Sequence, residues 1–308
     1  RGAPIGFGFQ GIPDIPKNQS GRLQLAKWLA RPDHPLTARV MVNRIWRWHF
    51  GRGIVATPNN FGTKGQRPTH PKLLDHLALK FIRSGWSLKS LHREILNSST
   101  YQMTSNMENP DATEKDPGNV LLWKREMRRM EAEVFRDSLL QLSGRLQWAL
   151  DGGSMQVKSQ DPSPTDLASN QSFYQQSDRR SVYLPVVRSN VYDLLTLLDF
   201  PNAAESVGNR VTTTVPTQAL MMMNGDFLMN ESRRIAKNWL NAPGKNLESS
   251  VNLLYRALLT RSPTPDELQW AARFLEDFSV EDSDPNKTES WNALCHALVM
   301  SNDFIHVW

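Results

Sequence analysis

Cysteine is almost missing from this sequence. Cys295 is the one cysteine in 308 residues, which excludes an internal disulfide and any metal site built from several cysteines. No Cys-x-x-Cys-His motif is present, so haem c cannot be attached to this chain. Because proteins without disulfides occur in both the cytosol and the periplasm, cysteine usage leaves the compartment open.

Long apolar runs are missing too. No stretch approaches the ~18–20 apolar residues of a membrane-spanning helix, so we expect no transmembrane segment. The first residues are rich in Gly and Pro and lack the continuous apolar core of a signal peptide. Since the chain begins on Arg1 and not on methionine, we expect a piece of a longer protein, whose targeting information could lie upstream.

Neither sign of charge dominates the composition. The 36 basic and 31 acidic residues give a net charge of +5, and they are interleaved except at 124–129 (KREMRR). This mild excess weakly favours an anionic partner, and it ranks nucleic-acid binding last among the functions considered. A hydrophobic content of 39% and a charged content of 22% are typical of a folded globular protein.

Catalytic signatures are missing as well. The sequence has no Gly-x-Ser-x-Gly elbow, phosphate loop or dinucleotide fingerprint. No two histidines stand at the i+3 or i+4 spacing of a helical metal site, so we expect no metal. Glycosidase chemistry needs two carboxylates, one of them held protonated. The sequence offers candidates without pairing them: Asp33, Asp75, Asp137, Asp193 and Asp199.

Helical periodicity is what the sequence does contain. Apolar residues recur at 3–4 spacing along most of the chain, and 264–267 (TPDE) forms a capping box with proline at the first helical position. The longest helix is predicted over 128–150, and a strand over 181–187. The predicted fold is mainly α, a multi-helix orthogonal or bundle-like array with long irregular loops and at most a small β element.

Four parts of the chain are predicted from changes in composition. They are an extended arm over 1–19, a helical part over 20–150, a long loop with a short strand over 151–210, and a second helical part over 211–308. Within the third part, 154–178 is expected to be a loop or flap. We expect the parts to form one continuous globular unit.

The most site-like stretch is 35–71, whose first half is predicted to be a helix with two opposite faces. One face is apolar and includes Trp46, Trp48 and His49. The other carries arginines, whose planar forks suit carboxylate, sulfate or phosphate groups. Adding a histidine at the start of the next helix gives the predicted ligand-binding set: Arg39, Asn43, Arg44, Arg47 and His70. The alternative is that these arginines pair with acids such as Asp75 or Glu94 and brace the helices.

Five ordered motifs together resemble one known family. They lie at 34–62 (beginning HPLTARVMVNRIW), 69–105 (THPKLLDHL), 127–146 (MRRMEAEVF), 199–224 (DFPNAAESVGNR) and 254–271 (LYRALLTRSPTPDEL). The chain thus resembles the planctomycete-specific C-terminal domain of unknown function called PSD-one. The resemblance implies an exported, extracytoplasmic protein in which haem c would belong to an upstream domain, with other domains of the same protein as partners.

Two functional hypotheses of different classes follow. The first is a non-catalytic helical module that binds a partner protein or an anionic polysaccharide. The second is a polysaccharide-acting hydrolase or a redox-linked enzyme whose site is completed by upstream domains. The sequence leaves the question of enzyme activity open, and a glycan-acting hydrolase is the first guess if the protein is an enzyme.

Overall fold

The computed structural model describes residues 15–148, 171–186, 191–240, 246–281 and 288–307. Within these residues the chain forms 14 α-helices and one two-stranded sheet, which confirms the predicted mainly α class. The arm predicted over 1–19 and the flap predicted over 154–178 fall largely outside the described residues. Of the flap, the described part contains a helix, Gln171–Gln176.

The chain divides into two compact units. Unit 1 ends at Met127, and unit 2 comprises Arg128–Val307. These bounds differ from those of the predicted parts, because the helix Ala132–Leu142 packs against Asp193–Leu197 and Asp226–Leu240 of the later chain.

The described part of unit 1 contains five helices, of which the second, third and fourth enclose an apolar core. The second helix packs on the third and fourth, and the core includes Ile45, Trp46, Leu77 and Phe81. The helices are α1 (Arg22–Leu29), α2 (Thr37–Phe50), α3 (Pro71–Arg83), α4 (Leu88–Leu96) and α5 (Pro110–Lys115).

Unit 2 holds the remaining helices, and its densest packing joins the helix Asp226–Leu240 to the helix Thr288–Val299. A short sheet pairs β1 (Arg128–Arg129) with β2 (His306–Val307) in antiparallel register. The helices are α6 (Ala132–Leu142), α7 (Gln171–Gln176), α8 (Asp193–Leu197), α9 (Pro216–Asn224), α10 (Asp226–Leu240), α11 (Leu247–Leu259), α12 (Pro265–Glu281), α13 (Thr288–Val299) and α14 (Asn302–Ile305).

The predicted longest helix, 128–150, is wrong at both ends. Arg128 and Arg129 are in β1, and α6 begins only at Ala132. At its other end Gly144 adopts φ +77°, a left-handed conformation that glycine tolerates and that ends a helix. Apolar spacing alone could not show this stop, because Leu146 continues the stripe beyond the glycine.

The strand predicted over 181–187 is also wrong. Ser181–Tyr183 forms a 3-10 turn, and the segment is held by side chains of α6. Asp137 Oδ1 accepts hydrogen bonds from both the backbone N–H and the hydroxyl of Ser181, each at 2.7 Å. Ser181 thus finds its hydrogen-bond partner in a side chain of α6 and not in a neighbouring strand.

Arg136 is the largest fully buried side chain, and it anchors the chain leading to that turn. Its guanidinium donates to the carbonyl oxygens of Tyr174 (2.9 Å), Ser177 (2.6 Å) and Arg179 (2.9 Å). Burial lowers the pKa of Arg136. One side chain thus supplies hydrogen bonds that a regular element would otherwise supply.

The capping box at the start of α12 is confirmed. The backbone N–H of Glu267 donates to Thr264 Oγ1 at 3.3 Å, and Glu267 Oε2 accepts from the Thr264 N–H at 2.7 Å. Glu267 also forms a bidentate ion pair with Arg261. Arg261 Nη1 donates to Glu267 Oε2 and Nη2 donates to Oε1, each at 2.7 Å. The Arg261 hydrogen bonds lower the pKa of Glu267 to about 2, against the opposing effect of burial.

Cys295 lies in the core of unit 2 with no exposed surface. Burial raises the pKa of its thiol to about 12.

Among the described helices, none combines the length and the apolar character needed to cross a bilayer.

Replacing Arg136 should destabilise unit 2 strongly. Arg136→Leu leaves three carbonyl oxygens without this donor, that of Tyr174 buried and the other two partly buried. We therefore expect a loss of about 3 kcal/mol or more in the free energy of unfolding, measured by urea denaturation. Arg136→Lys should be intermediate, because an ammonium cannot reproduce the fork. The exposed Arg273→Met is the control; a loss no larger for Arg136→Leu than for this variant would contradict the anchoring role.

The Glu267 ion pair should make stability depend on pH in the acid range. Because its folded pKa lies below the unfolded one, its contribution is present above about 4.5 and is lost as the pH falls toward about 2. The stability difference between the native protein and Glu267→Gln should therefore shrink over that range in urea titrations. Asp266→Asn, on the same turn, should show a smaller change, and equal changes would argue against the ion pair.

Candidate functional site

The loop after α2 turns back on the helix that precedes it. Gly51 has φ +80°, which ends α2. At Gly53, a Cβ atom would lie 2.6 Å from the carbonyl oxygen of Val55 and 2.8 Å from Asn43 Nδ2, so no larger residue fits without a shift. This close approach brings the backbone of Val55 onto the side chain of Asn43.

Asn43 is therefore a structural residue, although it was predicted to face a ligand. Its side chain is 0% exposed. Nδ2 donates to the Val55 carbonyl at 3.0 Å, and Oδ1 accepts from the Val55 N–H at 2.8 Å. Both ends of the amide are occupied, so Asn43 fixes the loop and presents no group to a ligand in this arrangement.

Arg39 braces two helices, as the alternative interpretation proposed. Its Nε lies 2.6 Å from Asp75 Oδ1 on α3, and its Nη1 donates to the carbonyl of Pro35. The other suggested acid, Glu94, pairs with Lys80 at 2.5 Å. One arginine of the predicted set is thus engaged within unit 1.

The remaining arginines lie beside an exposed tryptophan. Arg44 is exposed, Arg47 is half-buried, and Trp48 is 50% exposed. Residues three and four apart on a helix share a face, so Arg44 lies next to both Arg47 and Trp48. We call these three residues the α2 outer surface; ligand binding there stays a prediction.

Trp48 was missed because it was predicted to pack. The buried arc of α2 is rotated toward Asn43 and Phe50, which the sequence placed on the polar side. Trp46 is buried, as predicted, and so are Trp28 and Trp291. The available signal was the polar run around Trp48, since Arg44 lies one turn before it, Arg47 directly precedes it and Arg52 follows four residues later.

His70 is not part of the α2 outer surface and lines a narrow cleft instead. It stands at the N-cap position of α3, with Nδ1 2.9 Å from Thr69 Oγ1. It lines a cleft of about 20 Å³ with Arg52 and Glu126. A single water requires ~10–15 Å³ on this measure, so the cleft suits water and not a sugar ring.

Two histidines that lie far apart in sequence meet in unit 1. His49 Nε2 lies 2.8 Å from His92 Nδ1, and the His49 ring contacts Tyr101 edge-on. The sequence placed His49 on the apolar face of its helix, and helical spacing could not identify this partner. In the described part of the chain, no group of three His, Cys, Asp or Glu side chains forms a metal-ligand set.

Four of the five candidate carboxylates form ion pairs with arginines. The pairs are Asp33 with Arg31, Asp75 with Arg39, Asp137 with Arg180, and Asp199 with Arg129. The Arg31 hydrogen bond lowers the pKa of Asp33. Burial opposes the same effect at Asp199, but hydrogen bonds from Thr213 and Arg129 outweigh it and lower the pKa. A glycosidase acid needs the opposite shift.

Comparison with known proteins gives one family. The PSD1 family model, described as a protein of unknown function (DUF1553), matches residues 21–275, more than half of the chain. No curated protein and no solved structure matches. The family match confirms the resemblance carried by the five sequence motifs.

The structural role of Asn43 can be separated from a binding role. Asn43→Ala removes both partners of the Val55 backbone, so we expect unit 1 to lose about 2–3 kcal/mol in chemical denaturation followed by tryptophan fluorescence. The neighbouring Arg44→Ala changes an exposed residue and should stay within about 0.5 kcal/mol. Unchanged stability of Asn43→Ala together with lost ligand binding would restore Asn43 to the site.

Proposed function

Since the chain belongs to the PSD1 family of proteins of unknown function, we propose its function from geometry: a non-catalytic module that binds an acidic glycan. The α2 outer surface is the proposed contact. The observation that carries this proposal is the half-exposed Trp48 with the exposed Arg44 one helical turn before it.

The chemistry of the α2 outer surface suits an acidic sugar. An indole ring offers a flat apolar face on which the C–H face of a sugar ring can stack, and it keeps an N–H for a hydroxyl. A guanidinium one turn away can bind a carboxylate or sulfate with two parallel hydrogen bonds. Apolar stacking and an anion contact on one helix face together favour a charged glycan over a neutral one.

The residues of the predicted set on α2 differ in exposure. Arg39 is engaged with Asp75, and Asn43 is buried. Arg44 is exposed and is therefore the first candidate for the anion contact, whereas Arg47 beside it is half-buried. Because exposed charges are screened by salt over ~10 Å at 0.1 M, we expect glycan binding to weaken as ionic strength rises.

The setting of this function is proposed from the resemblance alone. We propose that the module works outside the cytoplasm, beside other domains of the same protein. In that arrangement haem c would belong to a neighbouring domain, and the glycan would be held by this one.

The central test is the triple substitution Arg44→Gln, Arg47→Gln and Trp48→Ala. It removes charge and stacking surface together, so binding to an immobilised acidic glycan such as polygalacturonate or heparin should weaken by about tenfold or more. Thermal unfolding should change little if these side chains serve binding and not packing. The measurement is a binding isotherm at low and high salt.

The matched control is Arg83→Gln, which removes an exposed charge from α3 of the same unit. Equal weakening by this control would show that binding follows net charge and not the α2 outer surface. Native protein that fails to bind any acidic glycan at low salt would contradict the proposal. A triple variant that no longer folds would support internal bracing by Arg47 instead.

A further inference from the structure

A polar cleft lies in unit 2 beside a buried carboxylate. Its volume is about 200 Å³, and its walls include Arg145, Gln175, Asn230, Glu231 and Arg234. A single water needs ~10–15 Å³ on this measure, and a drug-sized site begins near ~300 Å³. The cleft, which we call the Glu231 cleft, therefore has room for a small ligand.

Glu231 has one satisfied oxygen and one unsatisfied oxygen. Oε1 accepts a hydrogen bond from Arg145 Nη1. Oε2 has no donor among the residues that the structure describes, although the side chain is only 1% exposed. A buried acceptor without a donor costs about 1–3 kcal/mol, and more when it is charged. Glu231, a residue of the cleft wall, thus carries a buried acceptor that requires a donor.

The two arginines of the cleft differ in how far their hydrogen-bond donors are already used within the protein. Arg145 is fixed by Asp178 (2.8 Å) and by the carbonyl oxygens of Gln175 and Gln176 (3.2 and 2.9 Å), besides Glu231. Arg234 is 57% exposed, and its Nε lies 3.9 Å from Glu231 Oε1. Arg234 is therefore the side chain that can move to admit a ligand and still bind an anion.

We propose that the Glu231 cleft binds a small molecule in which a carboxylate stands next to a hydroxyl group. The carboxylate pairs with the Arg234 guanidinium, and the hydroxyl donates to Glu231 Oε2. The distance between Arg234 and Glu231 sets the distance between the two ligand groups. Arg234 Nε lies 3.9 Å from Glu231 Oε1, and a carboxylate and the hydroxyl beside it can contact both side chains across that distance. The proposal concerns unit 2, so it does not depend on the α2 outer surface of unit 1.

The test compares four ligands on the full chain by isothermal titration or ligand-observed NMR. Glycerate carries its hydroxyl on the carbon next to the carboxylate, whereas the nearest hydroxyl of cyclic glucuronate is one carbon farther away. The tighter of the two identifies a free hydroxy acid or an acidic sugar as the source. Propionate lacks the hydroxyl, and glycerol lacks the carboxylate. We expect saturable binding near the millimolar range for at least one acid, and binding about tenfold weaker for propionate and glycerol.

Two neighbouring arginines on α10 supply matched variants. Arg233 and Arg234 are both exposed, but only Arg234 is in the cleft wall. Arg234→Met should weaken binding about tenfold, whereas Arg233→Met should leave it unchanged. Glu231→Gln should abolish the preference for glycerate over propionate. If Glu231→Gln does not fold, the ligand comparison and the two arginine variants still decide.

Three results would overturn the proposal. The first is no saturable binding of glycerate or glucuronate, which would mean that water alone occupies the cleft. The second is equal binding of glycerate and propionate. The third is equal weakening of binding by Arg233→Met and Arg234→Met. None of these bears on glycan binding by the α2 outer surface, since polygalacturonate binding is measured with variants of unit 1.

Discussion

The guanidinium of Arg136 provides in unit 2 what secondary structure provides elsewhere, namely partners for backbone carbonyls that are wholly or partly buried. Folding requires such partners, because a buried polar backbone group without one is costly. Asn43 meets the same requirement for the Val55 loop of unit 1. Asp199, which has φ +63°, does so for Thr213, whose N–H and hydroxyl it accepts at 2.8 and 2.7 Å. A helical protein with long irregular connections thus depends on polar side chains that form hydrogen bonds with backbone groups distant in the sequence.

This constraint explains where sequence reasoning succeeded. Helices depend on local signals, so the apolar periodicity predicted the mainly α class and the capping box at Thr264 predicted the start of α12 correctly. Irregular segments depend on partners far along the chain. Asp137 accepts a hydrogen bond from Ser181, which lies 44 residues later in the chain. No local sequence pattern predicts that contact. The predicted strand at 181–187 failed for this reason.

The candidate site shows the same division. Arg44 could be predicted as exposed from helical periodicity alone. Asn43 and Trp48 could not be placed correctly, because the loop through Gly53 covers one flank of α2 and so rotates the buried arc. The bracing of Arg39 by Asp75 was predictable only as one of two alternatives. In unit 2 the buried Glu231 lies on α10 among arginines, a pattern that reads as a solvated helix face until the position of Arg145 is known.

Cys295 gives the chain a built-in reporter. A thiol reagent reacts only with the thiolate, and a thiol with no exposed surface and a pKa of about 12 is almost entirely protonated and shielded at neutral pH. Because this is the one cysteine in the sequence, labelling requires the core of unit 2 to open. Alkylation rates followed by mass spectrometry would therefore time the breathing of unit 2 selectively, without an engineered probe and without a signal from unit 1.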